Sequence, residues 1–106
     1  MDKEVNLIIA KYKQKLETLG LKVQKIVLYG SCTSGNAKEE SDIDLVVVSD
    51  DFKEMDLWER LCLLGRARIG IKRPMEILGL TKEEFVAKRS GTFIGDEIEA
   101  KGVEVI

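Results

Sequence analysis

Apolar residues recur at three- and four-residue intervals from the start of the chain: Val5, Ile8, Ile9, Tyr12, Leu16 and Leu19. That spacing predicts an amphipathic helix, and Gly20 marks its end because glycine readily takes the left-handed conformation of a helix C-terminus. From Leu21 to Gly30 the pattern turns extended, with Ile26-Val27-Leu28-Tyr29 as a buried centre. Residues 31–41 are small and polar and predict a loop or short helical turn. Ile43 to Val48 is a second strand, β-branched and almost wholly apolar, which places it centrally with both faces covered. Asp51 with Glu54 has the spacing of a capping box, and Met55, Trp58, Leu61, Cys62 and Gly65 form a helical stripe running to about Ala67. That stripe suits an interface as well as a core.

Residues 66–73 form a basic connector, and Pro74 to Leu78 predicts a third strand. Thr81 and Glu84 make a second capping box for a helix through about Lys88. A short helix over Thr92–Lys101, stopped by Gly102, and an edge strand over Val103–Ile106 complete the pattern. The order α-β-β-α-β-α-α-β predicts an α/β or α+β fold, one small mixed sheet flanked by helices, as a single domain over residues 1–106.

Composition narrows the chemistry. The chain has 106 residues, of which 17 are basic and 19 acidic, for a net charge of −2. Stand-alone nucleic-acid binders normally carry a basic excess, so none is expected here. Histidine is absent, which removes Ser-His-Asp and Cys-His catalysis and histidine-based zinc sites. Cys32 and Cys62 lie far apart without CxxC spacing and read as free thiols of a reducing compartment. No signal-peptide pattern opens the chain and no apolar stretch is long enough to span a membrane, so a cytoplasmic protein is expected.

The informative stretch is Gly30-Ser31, ten residues, then Asp42-Ile43-Asp44. Two aspartates are out of character at the head of an apolar strand. A strand period of two puts them on one face, about 6.6 Å apart along the chain. At an effective dielectric near 20 they repel by about 2.5 kcal/mol. An Asp-x-Asp pair alone is far more often a solvent-exposed strand start. Here a third acid, Glu76, interrupts another apolar strand, and three carboxylates on neighbouring strands suit a two-metal clamp with magnesium as the fitting ion. Gly30 lets backbone N–H groups approach an anion, and the Ser31 hydroxyl adds a donor. Gly30-x4-Gly35 is not a P-loop, because Asn36-Ala37 stands where Lys-Ser/Thr is required. Nor is the acidic cluster an EF-hand, since Val47 and Lys53 occupy its glycine and glutamate positions.

Leu28-Tyr29-Gly30-Ser31, ten residues, then Ser41-Asp42-Ile43-Asp44-Leu45-Val46-Val47 resembles the signature of the polymerase β-type nucleotidyltransferase superfamily. In particular it is similar to the stand-alone minimal nucleotidyltransferases of prokaryotes, over essentially the whole chain. The resemblance implies that Gly30 and Ser31 bind the triphosphate of an NTP. It further implies that Asp42, Asp44 and Glu76 bind two Mg²⁺ and form the catalytic set, while an acceptor hydroxyl attacks the α-phosphate. One departure matters: the family frequently reads Gly-Ser-Arg-x-Arg-Gly, whereas this chain has Cys32 and Ser34 at the arginine positions. Each lost charge-assisted contact weakens nucleotide binding by roughly 1.5–3 kcal/mol. Arg66, Arg68, Lys72 and Arg73 are candidates to compensate, although a solvated basic loop is the plainer reading.

A bare catalytic sheet of this length has no room for an acceptor-binding domain. The family pairing implies a small helical HEPN toxin as partner, with this chain as antitoxin transferring AMP from ATP to a partner tyrosine. The competing reading is a weak or inactive nucleotide-binding module that neutralises or scaffolds its partner by contact. A homo- or hetero-oligomer is compatible with either.

Overall fold

The computed structural model describes residues 3–29, 43–88 and 103–104. The expected loop 31–41, the helix over Thr92–Lys101 with Gly102, and the site residues Gly30, Ser31 and Asp42 lie outside these described residues.

Helix α1 spans Lys3–Thr18 and buries Val5, Ile9, Tyr12 and Leu16, four of the six residues of the expected stripe. It closes in a Schellman motif: Gly20 takes φ +97°, its N–H reaches the Glu17 carbonyl at 3.0 Å, and the Leu21 N–H reaches the Leu16 carbonyl at 3.0 Å. Leu16 and Leu21 are both buried, supplying the apolar contact that accompanies this motif.

Strands β1 (Lys25–Tyr29), β2 (Ile43–Val48), β3 (Met75–Leu80) and β4 (Val103–Glu104) form one sheet in the order β3-β2-β1-β4. β1 is antiparallel to both β2 and β4, while β2 and β3 run parallel. The central position expected for the β-branched β2 is therefore met, as is the mixed α/β class. The parallel pair needs a crossover, and residues 49–74 supply it through a 3₁₀ turn at Asp50–Glu54 and helix α2 at Leu57–Ala67. Helix α3 follows β3 at Lys82–Lys88.

Alternation along the strands sorts side chains onto two faces. Ile26, Leu28, Ile43, Leu45, Val47 and Met75 face α1, α2 and Phe52. Val27, Val46, Val48 and Leu80 face Phe85 of α3. Tyr12 ties α1 to α2 by donating its hydroxyl to the Leu64 carbonyl at 2.8 Å. Burial of that hydroxyl pushes its pKa up, with the Arg68 charge acting weakly the other way. Gly79 lets β3 lie against Phe52, since a Cβ there would stand 2.9 Å from the ring's Cζ.

Two sequence expectations shift at α2. The capping box is Asp56 with Glu59, five residues later than expected: the Asp56 carboxylate accepts from the Glu59 N–H at 2.8 Å and the Glu59 carboxylate from the Asp56 N–H at 3.4 Å. Asp51 instead belongs to the 3₁₀ turn, where its carboxylate accepts from the Lys22 N–H at 2.8 Å. The face of α2 turned to the core is carried by Leu64 and Ala67; of the expected stripe, Met55 packs partly buried against the core just before the helix, while Trp58, Leu61, Cys62 and Gly65 are exposed. The second capping box holds as expected, with Glu84 N–H to the Thr81 hydroxyl at 3.1 Å and Thr81 N–H to the Glu84 carboxylate at 2.8 Å.

Candidate active site

The end of the sheet where β1 finishes and β2 and β3 begin gathers the residues that carry chemistry. Tyr29, the last residue of β1, is in register with Asp44 of β2. Asp44 is in turn in register with Glu76 of β3. In-register neighbours on parallel strands project to the same side, and adjacent strands lie about 4.8 Å apart. Two of the three acids singled out in the sequence are therefore side by side. Ile43 and Pro74 lock this end of the parallel pair, the Ile43 N–H donating to the Pro74 carbonyl at 3.0 Å.

The two acids share a sheet face with Val46, Val48, Leu78 and Leu80. At the far end that face is apolar and covered by Phe85; at the near end it carries Asp44, half-buried, and Glu76, exposed. Gly30 and Ser31 follow directly on Tyr29 in the chain, and Asp42 precedes Ile43. All three lie outside the described residues. Among the described residues no group of three acids, cysteines or histidines is placed to hold a metal ion, so Asp44 and Glu76 are the two donors that can be placed. Both offer hard oxygen ligands, which fits a magnesium-type ion and not a soft one.

The basic connector does not reach this face. Arg73 is buried and pairs with Glu4 of α1 at 4.0 Å, and Arg68 lies close enough to Tyr12 to influence its ionisation. Both stand on the α1 side of the sheet, opposite the acids. With Lys72 and Lys11, Arg73 lines a cleft of about 600 Å³ there. A second cleft of about 750 Å³, lined by Asp50, Lys53, Thr81 and Lys82, opens at the other end of the strands. Tyr29, immediately before Gly30-Ser31 in the chain, stands across from Asp44 in backbone register.

The nucleotidyltransferase domain family model matches residues 9–103 of the chain. The chain belongs to this family. Its reaction class is accordingly nucleotidyl transfer. A Methanocaldococcus jannaschii protein whose name proposes a protein adenylyltransferase is 27% identical over 103 residues, covering 96% of this chain and 99% of the relative. Among solved structures, a Sulfolobus solfataricus protein described as a nucleotidyltransferase superposes with a TM-score of 0.66 at 18% identity, covering 93% of this chain and 77% of that one. A chain from the complex of a tri-AMPylated Shewanella oneidensis HEPN toxin with its MNT antitoxin superposes with a TM-score of 0.59 at 20% identity, covering 94% and 70%. At these identities the two structures speak to the fold, which is that of the polymerase β-like nucleotidyltransferases. No helix among the described residues is long and apolar enough to cross a membrane.

Proposed function

We propose that this nucleotidyltransferase moves AMP from ATP to a hydroxyl of a partner protein, a tyrosine of a HEPN-type toxin, and so acts as the antitoxin. The observation that carries the reading is the register of Asp44 with Glu76 at the end of the sheet where β1 leads into Gly30-Ser31. Support for a protein acceptor comes from the name of the M. jannaschii relative and from the AMPylated toxin in the S. oneidensis complex. The net charge of −2 points the same way, since a nucleic-acid acceptor favours a basic surface.

In this reading Gly30 and Ser31 receive the triphosphate through backbone N–H groups and the serine hydroxyl. Asp42, Asp44 and Glu76 hold two magnesium ions. Bound magnesium supplies neutralisation of the charge that builds on the phosphate oxygens. The acceptor oxygen forms its bond to the α-phosphorus, the bond to the bridging oxygen breaks, and pyrophosphate leaves while the hydroxyl proton is released. The contribution of β2 is rigidity. Asp44 is flanked on the strand by buried Ile43 and Leu45, so its backbone is fixed before substrate arrives.

The test is transfer of label from ATP, with Mg²⁺, to a HEPN-type protein encoded beside this chain. Labelling of one or more tyrosines is expected, and Asp44→Asn with Asp42→Asn should abolish it. Transfer that survives the double substitution overturns the roles given to these carboxylates. The loop carries Cys32 and Ser34 where arginines are frequent in the family, which favours a contact-only antitoxin as the second reading. Calorimetry showing no Mg²⁺-dependent ATP binding at about 1 mM, a free energy near −4 kcal/mol, would establish that second reading in place of the first.

A further inference from the structure

Helix α2 is apolar on two opposite sides, and the fold uses only one of them. Leu64 and Ala67 enter the core. The opposite side carries Trp58, Cys62 and Gly65, flanked by Leu61, and continues to Ile69 in the following turn. Trp58, Leu61 and Ile69 are 72, 50 and 70% exposed, and Cys62 is exposed as well. Together these side chains leave roughly 400 Å² in water, within the range of a functional patch on a monomer.

We propose that this face is the interface of a two-fold homodimer in which α2 pairs antiparallel with α2 of a second copy. Three features of the face select a second copy over an unrelated partner. First, its shape is self-complementary. An axis passing between Leu61 and Cys62 sets Trp58 over the partner's Gly65 and Leu61 against the partner's Cys62. Among the described residues, nothing outside Gly65's own stretch of helix lies within 4 Å of a Cβ built there, which leaves a seat for the indole. Second, the charge is self-complementary. The N-terminal turn carries Asp56 and Glu59 while the last turn carries Arg66. Antiparallel pairing sets acid against base at both ends and opposes the two helix dipoles favourably. Third, the area suits a weak, reversible dimer: two such patches withdraw about 800 Å² before any polar rim is added, below the roughly 1,200 Å² of stable interfaces and in the range of transient ones.

Trp58 is the anchor, a large ring with few rotors near the centre of the patch. It is also the chain's one tryptophan, so its fluorescence reports the interface directly. Sedimentation equilibrium over about 1 µM to 1 mM should show a reversible dimer, with the emission of Trp58 moving to the blue across the same range. Trp58→Asp should raise the dimer dissociation constant by about 30-fold or more, the effect of losing a hot spot. Gly65→Gln should also weaken the dimer, because it fills the seat of the indole. It should leave the melting temperature of the monomer unchanged or higher, since glutamine favours a helix over glycine. A chain that stays monomeric to about 1 mM, or a dimer indifferent to both substitutions, overturns the proposal.

Discussion

Replacing Glu76 by Gln should separate stability from function in opposite directions. Asp44 and Glu76 are in register on adjacent parallel strands, which puts their backbones about 4.8 Å apart. Carboxylates extending from those backbones, taken as roughly 6 Å apart, repel by about 0.7 kcal/mol in bulk water and about 2.8 kcal/mol at an effective dielectric of 20. Glu76 is exposed and Asp44 only half-buried, so the lower part of that range applies, about 1 kcal/mol. Removing one charge in metal-free buffer should therefore raise the melting temperature by roughly 4–8 °C for a domain of this size. Adding Mg²⁺ with ATP should reverse the order. The native protein gains about 1.4 kcal/mol at ten times its dissociation constant, and the variant, lacking one oxygen ligand, gains less. Thermal melts of both proteins, with chelator and with Mg²⁺-ATP, measure all four values. A variant that melts at or below the native protein in chelator would refute the reasoning, because the carboxylates would not then be paying a repulsion that a cation relieves.

Gly79→Ala should destabilise by about 1–3 kcal/mol in urea titration, because the added methyl meets Phe52 at 2.9 Å and Leu64 at 3.0 Å; a neutral result would mean that the ring moves aside freely. Arg60→Met should cost about 1–3 kcal/mol, since its guanidinium donates to the Phe52 carbonyl at 2.7 Å, the Gly79 carbonyl at 3.3 Å and the Glu84 carboxylate at 2.7 Å. The same variant should lose less stability in acid. Glu84 is held below its usual pKa first by the Thr81 N–H and then by Arg60, so its contribution is present above the unfolded value near 4.3 and fades as pH falls. Tyr12→Phe should flatten the alkaline limb of a pH–stability curve. The raised pKa of Tyr12 makes the native protein lose up to about 1.4 kcal/mol per pH unit above about pH 10, where the unfolded tyrosine ionises first.

Much of the fold was legible because independent local signals agreed. α1 had both a periodic stripe and a glycine at the one place where the chain needs a positive φ. β2 had a β-branched run that only a doubly covered strand requires, and it lies between β1 and β3. α2 was misread because its signals conflicted. Asp51–Glu54 and Asp56–Glu59 share the same spacing, and the choice between them was made by Lys22, whose backbone N–H captures Asp51 from a distant part of the chain. Likewise the Trp58 stripe and the Leu64–Ala67 stripe are both apolar, so period cannot say which side faces the sheet. Contact with Tyr12 and Phe52 decides it.

For the candidate site, the sequence showed which acids were out of place but not which would meet. Asp44 and Glu76 are separated by a crossover of a 3₁₀ turn and a helix, and their pairing depends on how that crossover sets the register of β3. A slip of one residue would turn Glu76 to the α1 face and bring Met75 or Ile77 beside Asp44. The apolar alternation makes this slip costly, because it would move Met75 out of one core and Leu80 out of the other. The two hydrophobic layers thus hold the register that puts the carboxylates together. Packing further along the strands positions the two acids, and the repulsion between them is tolerated because Val46, Val48 and Leu80 anchor the same strands a few residues on.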